Sequence, residues 1–270
     1  MQAIRHTSKL FRSPRKSSLR PSSKMSVEAS SERPIVYDIP VSNHGARVRF
    51  VLYKKGLESM YDLKPPTSIG GLQSEQYKAL SPQGKMPLLV LPDGTALPES
   101  EVIVQYLLEK HRDVGPSLLA ATPELRAKAN LITRLHDIYI ASIQACMYRA
   151  MDSPEMRCKQ IGDLAAQLDI LDKAIVGPYA AGDDITAADG ALFPTMVFCD
   201  FMLPTYFGWT GLWETRPKLK AWWATISQDP EAARIIKEVR EALDGWAESD
   251  RWNKTGINAQ VKLEGFKWSY

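Results

Sequence analysis

Residues 84–100 combine the groups that would recognise a free amino acid. The Glu99 carboxylate can pair with an ammonium group. Ser100 opens a predicted helix, whose unpaired N–H groups and positive end attract a carboxylate. Earlier in this stretch, Met86 precedes Pro87 and is driven toward an extended backbone. A cis Met86–Pro87 bond, the minority state, would turn the Met86 N–H and C=O toward a peptide-like ligand.

Ser42 is a candidate for thiol chemistry because it lies between a predicted strand and a predicted helix. The positive end of a helix lowers the pKa of a thiol placed beside it. A serine hydroxyl can also donate a hydrogen bond to a thiolate, which favours the charged form. Together, these effects are expected to lower a thiol pKa by about one to two units. Tyr37, Asn43 and His44 are the alternatives for this role.

The pattern around these residues predicts a small α/β domain in the order β-α-β-α-β-β-α, which is that of a thioredoxin-like domain. Apolar runs indicate strands, and apolar residues at helical spacing indicate helices. The predicted elements are strand 35–39, loop 41–45, helix 47–55, strand 61–63, helix 74–80, strands 88–91 and 96–97, and a helix from Ser100 as its N-cap.

Beyond residue 122 the sequence shows helical spacing only, which predicts an all-helical domain. Thr122-Pro123 opens its first helix, with proline at the first helical position. Thr186 and Asp189 form a predicted capping box, so we assign Asp189 to folding rather than catalysis. Residues 192–207 are apolar on most sides and predict a central buried helix.

Three segments of the chain resemble the glutathione-binding half of soluble glutathione transferases. They are Gly-Lys-Met-Pro-Leu-Leu-Val at residues 84–90, Glu99-Ser100, and Ile-Val-Gln-Tyr-Leu at residues 103–107. The five-residue spacing from Ser42 to Arg47 resembles the serine-type tau and zeta classes. The resemblance covers roughly residues 34–245. It implies a thioredoxin-like domain followed by an all-α domain, glutathione as cosubstrate without a metal, and a homodimer.

The resemblance also implies roles for particular residues. Ser42 would be catalytic, and the glutathione-binding residues would be Lys85, Met86, Pro87, Glu99 and Ser100. Lys85 would meet the glycyl carboxylate, with a solvent-facing turn lysine as the alternative. The hydrophobic substrate would contact three residues at four-residue helical spacing, which are Tyr139, Ile143 and Met147.

The expected activity is attack of the glutathione thiolate on a hydrophobic electrophile or an organic peroxide. A glutathione-dependent isomerase or dehalogenase is one alternative, and a non-catalytic ligand carrier or interaction module is another. Asn43-His44 stand where zeta enzymes carry further serine and cysteine, which weakens a maleylacetoacetate isomerase assignment. The loop lacks cysteine, which argues against thiol–disulfide exchange.

Composition limits the other possibilities. The net charge of +3 comes from seven basic residues within residues 1–27; without them, 27 basic residues face 31 acidic ones, a net charge of −4. This charge offers no basic face for nucleic acid, and no apolar run is long enough to span a bilayer. The three cysteines, Cys146, Cys158 and Cys199, include no CxxC pair, which argues against a zinc site and favours a reducing compartment.

The predicted organisation has five parts. Residues 1–33 form a basic, serine-rich leader, which is typical of a plastid or mitochondrial transit peptide; without that role the protein would be cytoplasmic. The glutathione-binding domain occupies residues 34–111, a linker 112–122, the helical domain 123–245 and an aromatic-rich tail 246–270. We expect the tail to fold over the active-site mouth or a partner subunit, with disorder as the alternative.

Overall fold

A computed structural model describes residues 32–270. The predicted leader, and any transit-peptide role for it, lies almost wholly outside the described residues. Within the described part of the chain, no helix combines the length and apolar character needed to cross a membrane.

The first half of the described chain is a four-stranded mixed sheet packed with three helices. The sheet order is β2-β1-β3-β4; β1 and β2 are parallel, whereas β3 is antiparallel to both β1 and β4. This architecture confirms the thioredoxin-like prediction. The elements are β1 Ile35–Tyr37, α1 Asn43–Lys54, β2 Asp62–Lys64, α2 Glu75–Leu80, β3 Leu88–Val90, β4 Ala96–Pro98 and α3 Ser100–Lys110.

The second half is helical, as predicted. Its helices are α4 Pro123–Leu135, α5 Pro154–Ala174, α6 Ala187–Phe207, α7 Pro217–Ile226, α8 Pro230–Glu248, α9 Arg251–Lys254 and α10 Ile257–Gln260. A π-helical turn, His136–Ile140, follows α4, and a 3₁₀ turn, Gln144–Met147, follows that. The capping box predicted at the start of α6 is present.

Helix α1 begins earlier than the sequence pattern predicted. Residues 43–45 were expected in a loop, but they form the first turn of α1. The reason is local, because the Ser42 hydroxyl oxygen accepts the Gly45 N–H at 3.0 Å and caps the helix. Helix α1 therefore starts directly after Ser42, and its first turn is part of the site described below.

Helices α1 and α6 join the two halves through an apolar contact. The Phe50 ring packs edge-to-face on Phe193 with centroids 5.3 Å apart. Gly190 permits this approach, because a Cβ atom at that position would lie 2.5 Å from the Phe50 ring. The contact seats the start of α1 against the helical half.

The C-terminal tail packs on the helical half of its own chain, so the expectation that it covers the active-site mouth is wrong, while contact with a partner subunit stays a prediction. Trp252 is buried beside Tyr206, with ring centroids 5.1 Å apart, and Trp268 packs on Phe207 at 5.8 Å. The Tyr270 hydroxyl donates to the Cys158 carbonyl at 3.1 Å. Apolar burial of the tryptophans is the physical reason for this placement, because α6 offers the tail an apolar surface.

Candidate functional site

A cavity of about 520 Å³ lies where α1, the Met86–Pro87 corner, α3 and the end of α4 meet. This volume is within the range of ordinary small-molecule sites. Five residues predicted to bind a tripeptide line it, which are Lys85, Met86, Pro87, Glu99 and Ser100. The structure thus brings together two stretches that the sequence separates by more than ten residues.

The Met86–Pro87 peptide bond is cis. The corner is held from below by Tyr77, whose hydroxyl donates to the Lys85 carbonyl at 2.8 Å. Burial raises the pKa of Tyr77 to about 12, so this hydroxyl stays a donor at neutral pH. The Lys85 side chain itself is exposed at the cavity wall.

Glu99 occupies an unusual backbone conformation at the start of α3. Its φ is 74°, in the region that favours glycine, which costs of the order of 1–3 kcal/mol. Glu99, rather than Ser100, is the N-cap residue, which corrects the sequence assignment, and its side chain makes no capping bond. The carboxylate of Glu99 is exposed and lines the cavity, so it is available to a ligand.

Ser100 is buried as the first residue of α3, and its hydroxyl oxygen accepts from Arg47 at 3.1 Å. The first N–H groups of a helix have no intrahelical partners. The start of α3 therefore presents donors and positive potential to the cavity beside the Glu99 carboxylate.

Arg47 of α1 is only 2% exposed and joins the two halves of the protein. Its Nη2 atom lies 2.9 Å from Asp137 Oδ1, and its Nη1 atom lies 3.6 Å from Glu101 Oε2. Burial disfavours a charged Asp137, but the hydrogen bond from His136 and the charge of Arg47 outweigh it and lower the pKa of Asp137 to about 2. Asp137 is therefore ionised at neutral pH. Sequence reasoning missed this pair because its members lie 90 residues apart.

A buried polar cluster continues from Asp137 into the helical half. His136 Nδ1 lies 2.9 Å from Asp137 Oδ1, and His136 Nε2 lies 2.8 Å from the Thr195 hydroxyl. The Asn43 amide donates to Thr195 at 2.9 Å and to Gln144 at 3.1 Å. Burial lowers the pKa of His136, so it is neutral near pH 7. Asn43, an alternative for the catalytic role, is thus held inside the cluster and ties the first turn of α1 to α6.

Comparisons with known proteins agree with this arrangement. The family models for the glutathione S-transferase N-terminal and C-terminal domains match residues 36–117 and 123–224. A probable maleylacetoacetate isomerase of Caenorhabditis elegans is 30% identical over 173 residues, which cover 61% of this chain and 78% of the relative. Glutathione S-transferase F9 of Arabidopsis thaliana is 30% identical over 164 residues, which cover 57% of this chain and 74% of the relative. The chain belongs to the glutathione S-transferase family.

The fold agrees with solved members of that family. The crystal structure of glutathione transferase F7 from Populus trichocarpa aligns with a TM-score of 0.64 at 23% identity, covering 76% of this chain and 99% of that one. The protein is a glutathione transferase, and glutathione is its cosubstrate.

Ser42 is half-buried at the start of α1 in this transferase, and it is not among the residues that line the cavity. Its oxygen accepts from Gly45, as described above. Burial raises the pKa of Asp38 to about 6, against the charge of Arg49 and a hydrogen bond from Ser42, which lower it. The Ser42 hydroxyl oxygen is therefore already engaged as the cap of α1. Its catalytic role stays a prediction.

His44, the second residue of α1, is the part of the first turn that lines the transferase cavity. Burial, together with the positive charge of nearby Arg47, lowers the pKa of His44 to about 4. The two imidazole rings lie edge-to-face with centroids 6.1 Å apart. His44 is consequently neutral at physiological pH, and it lies at the cavity rather than in a solvated loop.

The three residues predicted to contact a hydrophobic substrate do not share one face of a helix. The π-helical turn, closed by the Ala141 N–H to the His136 carbonyl at 2.8 Å, shifts the helical register. As a result, Tyr139 is half-exposed, Ile143 packs partly against the core, and Met147 is fully buried. None of the three lines the cavity. The prediction that they share one helix face is therefore wrong. On this side the cavity is lined by Arg134, Asp137, Ala141 and Ser142.

Proposed function

We propose that the protein binds glutathione in this cavity and presents its thiolate to an electrophile with an apolar body. The glutamyl ammonium would pair with Glu99, and the glutamyl carboxylate would accept hydrogen bonds at the start of α3 from Ser100 onward. The Met86 backbone would pair with the cysteinyl residue. Lys85 would face the glycyl carboxylate.

One observation carries this proposal, namely that all five predicted glutathione contacts line one cavity together with the first turn of α1. A tripeptide held along the Met86–Pro87 corner and the start of α3 has its central residue near His44. Positioning of the sulfur beside the reacting carbon supplies much of the rate enhancement in such a site.

The positive end of α1 is the proposed source of thiol activation. The first N–H groups of the helix and its dipole favour a thiolate over a thiol. The Ser42 hydroxyl, whose oxygen caps α1, would add a donor to the sulfur. Each unit of pKa lowering requires about 1.4 kcal/mol of preferential interaction with the thiolate, which one charge-assisted hydrogen bond can supply.

Substitution Glu99→Gln is expected to weaken glutathione binding about tenfold or more. The amide keeps the size of the side chain but loses the charge that pairs with the glutamyl ammonium. Isothermal titration calorimetry with glutathione measures the effect directly.

The matched control is Glu109→Gln, which removes an exposed carboxylate from the far end of the same helix. It should leave the dissociation constant within about twofold of the wild type, because surface charges far from a ligand are screened by salt. Equal affinity in Glu99→Gln and wild type would remove Glu99 from the head-group site.

Substitution Ser42→Ala is expected to lower kcat/KM about tenfold near pH 6.5 while glutathione affinity stays close to that of the wild type. The deficit should shrink toward pH 9, where the thiol ionises without help, because the hydroxyl acts by favouring the thiolate. The pH profile with a chromogenic aryl halide measures this. Ser42→Thr, which keeps the hydroxyl and the cap, should restore activity. A parallel loss at every pH would assign Ser42 to helix capping alone.

A glutathione-dependent isomerase is the second candidate function. The similar proteins include maleylacetoacetate isomerases of Caenorhabditis elegans and Pseudomonas aeruginosa, the latter 29% identical over 165 residues. An isomerase adds the thiolate to a double bond and later releases it, so glutathione is not consumed. Counting glutathione consumed per product formed separates this reaction from transfer. Retention on immobilised glutathione without any turnover would instead favour a carrier.

A further inference from the structure

Of the cations that line the cavity, two have no protein partner within residues 32–270, and glutathione accounts for one of them. Three cationic side chains line it, which are Arg47, Lys85 and Arg134. Arg47 is held by Asp137 and Ser100. Arg134 is exposed and makes no hydrogen bond or ion pair with any group in residues 32–270.

Glutathione itself does not account for Arg134. The tripeptide carries one ammonium and two carboxylates, and the proposed function assigns them to Glu99, the start of α3 and Lys85. The other lining carboxylates, Glu101 and Asp137, already face Arg47. One guanidinium therefore remains for a second ligand.

Arg134 is placed where a second substrate would lie. It is in the last turn of α4, before the π-helical turn that carries Asp137, and Ala141 and Ser142 complete this side of the cavity. The same wall was expected to be apolar, but its side chains are mostly polar. Arg134 and Glu101 also border a second cavity of about 470 Å³, so the guanidinium lies at the junction of two open spaces.

We propose that Arg134 binds a carboxylate on the electrophile, so that the preferred second substrates of this transferase are acidic. The inference rests on the proposed function and specifies its substrate class. A guanidinium matches a carboxylate with two parallel hydrogen bonds, which also orients the ligand. The apolar body of the electrophile would rest on Pro98, Val102 and Ala141, which line the same cavity.

A pair of aryl chlorides tests this proposal, namely 4-chloro-3-nitrobenzoate and its methyl ester. In both reactions the thiolate sulfur forms a bond to the ring carbon, the carbon–chlorine bond breaks, chloride leaves, and the thiol proton passes to solvent. Rates are divided by the uncatalysed rate of each compound with glutathione. The wild type is expected to favour the acid in these normalised kcat/KM values.

Substitution Arg134→Gln should lower kcat/KM for the acid about tenfold and change that for the ester less than about twofold. The KM for glutathione should stay within the same twofold margin. The kcat/KM of Arg134→Lys for the acid should lie between those of the wild type and Arg134→Gln, since an ammonium keeps the charge without the planar fork. Arg112→Gln is the control, because Arg112 is exposed and lines neither cavity.

Four results would overturn the inference. An equal loss for acid and ester in Arg134→Gln would make Arg134 a general structural residue of the wall. A raised KM for glutathione with unchanged discrimination would assign Arg134 to glutathione. Absence of turnover with both probes would overturn the proposed function together with the inference, whereas turnover without discrimination in the wild type overturns the inference alone.

Discussion

Replacement of Asp189 by alanine is expected to lower the free energy of unfolding by about 4 kcal/mol. The carboxylate is fully buried and accepts four hydrogen bonds. Two come from the backbone, Ala180 N–H and Thr186 N–H, each at 2.7 Å. Two come from side chains, the Thr186 hydroxyl at 3.0 Å and the Trp222 indole at 2.8 Å. Alanine would leave all four donors buried without an acceptor, and each such group costs about 1–3 kcal/mol.

Urea unfolding followed by circular dichroism measures the effect, with the slope m as a check that the cooperative transition is unchanged. Asp184→Ala is the matched control, since Asp184 lies in the same segment and is exposed. It should change the free energy of unfolding by less than about 0.5 kcal/mol. A similar small loss in Asp189→Ala would contradict the structural role assigned to this carboxylate.

Substitution Asp137→Asn is expected to cost about 3 kcal/mol of stability at pH 7, because it leaves Arg47 buried without its closest carboxylate. The cost should depend on pH. The pKa of Asp137 is about 2 in the folded protein, below the roughly 3.9 of an unfolded aspartate. A depressed folded pKa stabilises the protein above the unfolded value, and this contribution is lost as pH falls from about 4 toward 2.

The measurement is the difference in the free energy of unfolding between wild type and Asp137→Asn at several pH values from 7 down to 3. The difference should be constant above pH 5 and shrink below pH 4. Asp152→Asn, which changes an exposed aspartate in the loop before α5, should show no such difference. A difference that stays constant down to pH 3 would show that the Asp137 charge does not provide the stabilisation.

Asp137→Asn also bears on glutathione binding, because Asp137 lines the cavity and holds Arg47, which in turn donates to Ser100. Loss of the pair would release the side chain that orients the Ser100 hydroxyl. Asp137→Asn should therefore lower both stability and glutathione affinity. Glu99→Gln should lower glutathione affinity alone, because it removes a proposed ligand contact and leaves the buried pair intact.

Local hydrogen bonds explain why several elements could be predicted. The capping box at Thr186 and Asp189 involves residues three apart, and Thr122 caps α4 through the Leu125 N–H at 3.3 Å. Such bonds form between residues that are close in sequence, so residue types at the right spacing predict them. The start of α1 was missed because Asn43, His44 and Gly45 add no apolar residue at helical spacing, so the pattern places the start of the helix at Arg47 although Ser42 can serve as an N-cap.

Local patterns did not predict the side of the cavity that is formed by Arg134, Asp137, Ala141 and Ser142. Four-residue spacing placed Tyr139, Ile143 and Met147 on one face, but that spacing holds only for an uninterrupted α-helix. The π-helical turn starts at His136, which is fixed by Thr195 of α6 and by Asp137. Contacts with a distant helix therefore set the register of this segment, and Arg134 rather than an aromatic side chain faces the cavity.

The amino-acid sequence alone was enough for the two-part architecture, because turn residues, caps and apolar spacing act within one or two helical turns. The roles of the Met86–Pro87 corner and of the Glu99-Ser100 pair were predicted from the resemblance to the family. Only the tertiary structure decided which charges meet. Arg47 pairs with Asp137, whereas Arg134 has no such partner within residues 32–270, because the docking of α1 against α6 decides which charges from distant parts of the chain come together. Side-chain pairing across that distance depends on how two surfaces fit, and no local pattern encodes it.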